Sequence, residues 1–155
     1  MELWAMPSNI FWIGLVVSII CGSLIGLERQ LRGKVLGIRT CVLICLGTQV
    51  FVRLGTGFEP NLADPTRVLG QVVTGIGFLG AGVILARGDL LTGVTSAATV
   101  WILAAIGATA GIGRFTEALC LSAAAMVMLL TVRLSEYIHN RPADKSSSSK
   151  SKALQ

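Results

Sequence analysis

Five apolar stretches, 10–27, 38–54, 68–86, 97–112 and 115–134, each bounded by charge, Gly or Pro, take up most of the 155 residues. A helix needs roughly 20 apolar residues to cross a hydrocarbon core of about 30 Å. Inside that core only a helix or a closed barrel satisfies its own backbone. The stretches therefore predict an all-α polytopic membrane protein, a bundle of five transmembrane helices. Composition agrees: 53% of residues are apolar, 14% are charged and the mean hydropathy is +0.74, which makes a water-soluble domain a poor reading. The connections are short and leave no room for a soluble catalytic domain, so function belongs to the bundle or to its two faces. The segment before the first stretch, Met1 to Trp4, carries no Lys or Arg. The first stretch thus reads as a retained helix rather than a cleaved signal.

Lys and Arg concentrate in cytoplasmic loops, and five helices impose an alternation that sorts them. One face collects Arg29, Arg32, Lys34 and Arg39 from the first loop, Arg87 from the third, and Arg133, Arg141, Lys145, Lys150 and Lys152 from the C-terminal end. The opposite face has only Arg53, Arg67 and Arg114. The expected topology places the N-terminus outside and the C-terminus in the cytoplasm. Residues 135–155 are polar and Ser/Lys-rich and are expected to form a disordered cytoplasmic tail.

Small residues mark where helices can approach. Gly14, Ser18, Gly22 and Gly26 recur every four residues in the first helix, the spacing of a small-residue packing face. The fourth helix repeats the device with Gly107 and Gly111, and the third carries Gly75, Gly77, Gly80 and Gly82. Gly75 to Gly80 formally matches the dinucleotide motif G-x-G-x-x-G, but the match sits inside an apolar span with no preceding strand and no following acid. Nucleotide binding is excluded on that context, leaving packing or a locally irregular helix. Ahead of the third helix, Asp64 and Pro65 read as an N-cap and a first helical position.

Charges in or against spanning segments are expensive and are functional candidates by default. Glu28, Arg29, Arg32, Arg39 and Thr40 gather around the first loop, with an ion pair between Glu28 and Arg39 as the structural alternative. Asp64, Arg67, Gln71, Thr95, Ser96 and Thr99 complete the candidates. They line a polar cavity or bond across helices. The eight acids are scattered over both faces, so no metal site is expected. His139 lies in the tail, so no base serves an intramembrane nucleophile. Cys21, Cys41, Cys45 and Cys120 fall within apolar stretches and read as small apolar fillers. No catalytic residue, metal or cofactor is expected, and no nucleic-acid partner. The bilayer itself is the evident one.

Several ordered motifs resemble the membrane domain of the MgtC/SapB family: Gly26 to Arg29 with Arg32, Gly33 and Lys34, Gly37 to Thr40, Asp64 to Arg67, Gln71 to Gly82, and Gly93 to Trp101. The resemblance covers nearly all of 10–135 and departs from many members at Val94, Thr95 and Ser96. Longer members continue into a cytosolic domain where this sequence has the Ser/Lys tail. The resemblance implies a bacterial inner-membrane protein linked to magnesium homeostasis, stress and virulence. It further implies a non-enzymatic regulator of other membrane proteins such as the ATP synthase or cation pumps. The alternative is a small homo-oligomeric ion channel or transporter.

Overall fold

The computed structural model describes residues 8–56, 65–87 and 90–139. Five helices carry the fold: α1 (Ser8–Leu31), α2 (Ile38–Thr56), α3 (Pro65–Val83), α4 (Val94–Gly111) and α5 (Phe115–His139). Between α3 and α4 lie two three-residue strands, β1 (Leu85–Arg87) and β2 (Leu90–Thr92), paired antiparallel with Leu85 opposite Thr92 and Arg87 opposite Leu90. Helices α1 to α4 are long and apolar enough to cross a membrane. The apolar part of α5, Phe115–Thr131, is shorter and falls at the low end of the range of about 17 to 25 residues that span. Phe78, Trp12 and Phe51 are exposed on the outside of the bundle. In water such a surface would aggregate; in lipid it faces its proper solvent.

Why the helices pack as they do follows from the small residues. In lipid no hydrophobic drive brings helices together, and close backbone approach takes its place. A Cβ added at Gly22 would stand 2.8 Å from Val42 Cα, and one at Gly26 would stand 2.6 Å from Ile38 Cα. Helices α1 and α2 therefore run antiparallel with their backbones almost touching. On α4, a Cβ at Gly111 would lie 2.7 Å from the Gln49 carbonyl oxygen, and one at Gly107 would collide with the Cys45 carbonyl. This sets α4 parallel to α2. Helix α4 is apolar nearly all round, the pattern of a helix buried among others, and it contacts all four other helices. Cys21, Ile25, Cys41, Cys45, Leu103 and Ile106, all fully buried, fill the space between α1, α2 and α4. The Cys45 thiol donates to the Leu103 carbonyl at 3.3 Å.

The structure moves several of the expected boundaries: α1 runs from Ser8 to Leu31 in place of 10–27, α2 ends at Thr56 and α3 starts at Pro65, ahead of the expected 68. The third stretch does not continue as helix to Ala86: α3 stops at Val83, where Ile84 N–H donates to the Ala81 carbonyl at 3.1 Å, and the chain enters the hairpin. The hairpin closes at Gly93, whose φ of +89° is left-handed and whose missing Cβ lets it sit against the Val83 carbonyl. Helix α4 accordingly begins at Val94, ahead of the expected 97. Helix α5 runs on to His139, past the expected boundary at Leu134. The remainder of the expected tail, with Arg141, Lys145, Lys150 and Lys152, and the expected cap Asp64 lie outside the described residues.

Candidate functional site

The C-terminal turns of α1 bring a charged group into one end of the bundle. Glu28 and Arg29 are buried, Arg29 almost completely, and Arg32 is largely covered. The Arg29 Nη2 donates to the Ser96 hydroxyl on α4. Arg32 reaches two places: its Nε pairs with the Glu28 carboxylate one turn back, and its Nη2 donates to the Leu129 carbonyl on α5 at 2.6 Å. The Gln30 Oε1 accepts from Ile38 N–H at 3.2 Å, meeting an orphan donor at the start of α2. Three side chains within one turn, Arg29, Gln30 and Arg32, thereby tie α1 to α4, α2 and α5.

The local backbone makes this geometry available. Helix α1 ends at Gly33 with φ +62°, where Gly33 N–H donates to the Gln30 carbonyl at 3.0 Å and Lys34 N–H to the Arg29 carbonyl at 3.1 Å. This is the glycine-terminated helix end that satisfies the last carbonyls. Burying three charges is costly unless they neutralise one another. One carboxylate between two guanidiniums leaves the group with a net positive charge, and neither Glu28 oxygen nor the Arg29 Nε has a well-directed hydrogen bond.

The other expected residues lie apart from this group. Arg39 is exposed on the first turn of α2 and does not pair with Glu28, because Arg32 stands four residues from Glu28 on the same helix face and takes it first. Thr40 and Gln71 both line a groove between α2 and α3, toward its opposite ends, a cavity of about 650 Å³. Arg67 is exposed on the first turn of α3. Thr95 is exposed, and its carbonyl accepts the buried Thr99 hydroxyl at 2.8 Å, so Thr99 is satisfied within its own helix.

The expected packing residues divide in the same way. Gly14 makes room for the Gln49 side chain, whose Nε2 would stand 2.9 Å from an added Cβ. Ser18 is fully buried, and its hydroxyl, like the Gln49 amide, has no hydrogen-bond partner among the described residues. Gly80 touches Ala97 and Trp101 at ordinary contact distance. Gly75, Gly77 and Gly82 do not pack within the chain: an added Cβ at any of them would meet nothing within 4 Å among the described residues. Among the described residues no group of three or more His, Cys, Asp or Glu is placed to hold a metal ion.

Two partners in the charged group were not legible as candidates. The Leu129 carbonyl is a backbone atom with no sequence signature. Gln30 is recognisable only through the helix start that it serves.

The sequence model of the MgtC family matches residues 15–139. An uncharacterised protein of Synechocystis, slr0014, is 40% identical over 138 residues, which is 88% of this chain and 58% of that protein. The Escherichia coli K12 protein named "Putative magnesium transporter YhiD" is 45% identical over 112 residues, 68% of this chain and 52% of its own length. Protein MgtC of Salmonella typhimurium is 39% identical over 122 residues, 79% of this chain and 50% of its own. The chain spans about half the length of the curated relatives it matches. No solved structure matches it significantly.

Proposed function

From the premise that the chain belongs to the MgtC family, we propose that this multi-pass membrane protein is a non-enzymatic regulator. It acts in magnesium homeostasis in the bacterial inner membrane, through contact with other membrane proteins. One observation supports the reading: among the described residues the buried polar side chains stand in separate groups, Ser18 and Gln49 deep in the bundle and the charged group at its end, with no continuous polar path joining them. Arg29 and Ser96 are locked together at one end, Thr99 is bonded within α4, Gln71 opens onto the flank, and Cys21, Ile25, Cys41, Cys45, Leu103 and Ile106 fill the space between. A conducting site replaces an ion's water with converging oxygens, and magnesium gives up that water reluctantly.

The buried charges hold the bundle end rigid and leave Lys34 and Arg39, both exposed, to meet a partner. Purified protein in liposomes is expected to give no magnesium flux above empty vesicles. Deleting the gene should slow growth in low magnesium, and Arg39→Ala should reproduce that defect with the protein still in the membrane. Saturable magnesium uptake by the protein alone, lost on replacing Gln71, would favour the transporter reading instead.

The same reading orients the chain. Ten of its 13 basic residues fall on one face, and such faces are cytoplasmic. Reporter fusions after Lys34, Arg87 and the C-terminus should therefore report cytoplasm, and a fusion near Asn61 the outer side. A periplasmic signal from the C-terminal fusion overturns the orientation.

A further inference from the structure

Of the four helices long enough to span, α3 is the least enclosed, and the groove it forms with α2 opens to the outside of the bundle. At about 650 Å³ the groove is within the size range of ligand sites, roughly 300 to 1,000 Å³. Its wall changes character along α3 in a fixed order. Arg67 stands exposed at the first turn. Gln71, one turn deeper, faces the groove with no hydrogen bond among the described residues. Gly75 and Leu79 follow, opposite Leu43 and Gly47 of α2. Residues four apart share a helix side and are separated by about 6 Å along the axis. Along α3 the order is thus an exposed cation just beyond the groove's lining, an amide about 6 Å on, and then a mainly apolar trough whose α2 wall also carries Thr48.

An amide turned into hydrocarbon without a partner is costly, so a purely apolar occupant does not suit this wall. A glycerophospholipid has a phosphate, then ester carbonyls one short step deeper, then acyl chains, which is the same order. We propose that the groove between α2 and α3 binds one phospholipid, its phosphate at Arg67, its ester carbonyls accepting from the Gln71 amide and one acyl chain along Gly75, Ile76 and Leu79. Gly75 and Gly47 leave the trough open, since a Cβ at either would meet nothing within 4 Å. The proposal does not rest on the regulatory reading, and magnesium flux bears on neither Arg67 nor the trough.

The test uses the full chain in mild detergent, titrated with phosphatidylglycerol and read by native mass spectrometry. The wild type is expected to hold one lipid. Gly75→Leu and Gly47→Leu fill the trough from opposite walls without meeting a neighbour, and each should abolish retention. Gly82→Leu, equally free of neighbours but outside the groove, should bind as the wild type does. Arg67→Gln, or diacylglycerol in place of the phospholipid, should weaken binding about fivefold, the effect of one basic residue at a lipid headgroup. Equal retention by the wild type and both filled variants overturns the proposal. So does a change in oligomeric mass on filling the trough with lipid retention unaltered, which would make the groove a seat for a second helix.

Discussion

Gly26→Leu is expected to remove most of the folded protein. The added side chain would point at the backbone of α2, with its Cβ 2.6 Å from Ile38 Cα and 3.1 Å from Cys41 Cβ. A backbone cannot rotate aside as a side chain can, so α2 must shift as a unit and loosen the contact at Gly22 as well. Overpacking typically costs about 1 to 3 kcal/mol, and a rigid neighbour puts this substitution at or above the upper figure. The comparison is Val16→Leu on an exposed side of the same helix, 55% accessible, where a surface change of about 0.5 kcal/mol or less is expected. Thermal melting in detergent, followed by the loss of the monodisperse peak, distinguishes the two. Equal melting of both variants would mean that α1 and α2 do not meet through this face.

The second large effect is expected at Glu28. Glu28→Ala removes the one carboxylate beside the buried Arg29 and the largely covered Arg32, leaving like charges with no compensation. Breaking a buried ion pair from one side costs about 3 to 5 kcal/mol, because the remaining charge stays desolvated. Glu117 offers the contrast within the same molecule. Its pair with Arg114 is well exposed, 47% and 64% accessible, and an exposed pair is worth about 0 to 1 kcal/mol. Denaturant titration in micelles should show Glu28→Ala strongly shifted and Glu117→Ala close to wild type. Similar midpoints for the two would show that the end of α1 is hydrated, not buried. Glu28→Gln keeps the shape and loses the charge, and should fall between.

What could be read in advance follows the kind of atom involved. Helices α1 and α2 were legible because an apolar run of the right length has few alternatives in a membrane. The hairpin at 85–92 was not, since Leu85 and Ala86 extend the apolar pattern of α3 without a break. The hairpin closes on the left-handed angle of Gly93 against Val83, and one more glycine among 18 gives no sign of its φ. The charged end was legible in membership and not in arrangement. Arg29 and Arg39 look alike as basic residues at helix ends, yet one is buried and the other exposed. The difference is set by Ser96, 67 positions away, which accepts from Arg29 and has no counterpart for Arg39 among the described residues. The glycines of α3 show the same limit: their spacing says that a neighbour can come close, and only the fold says on which side one stands.

The placement of the tight contacts also sets an order of assembly. Helices α1 and α2 are consecutive, and Gly22 and Gly26 let them close as soon as both have been made. Helix α3 is made next, but Gly80 rests on Ala97 and Trp101 of a helix that does not yet exist. Until α4 is synthesised, the main support of α3 among the described residues is α2, where Gly55 meets Val68. Arrival of α4 does two things at once: Gly107 and Gly111 lock it onto α2, and Ala97 and Trp101 give α3 its second support. Helix α4 is thus the keystone of biogenesis, set fourth in the chain and needed by the third, so that the nascent protein passes through a stage in which α3 waits in the bilayer with most of its surface turned to lipid.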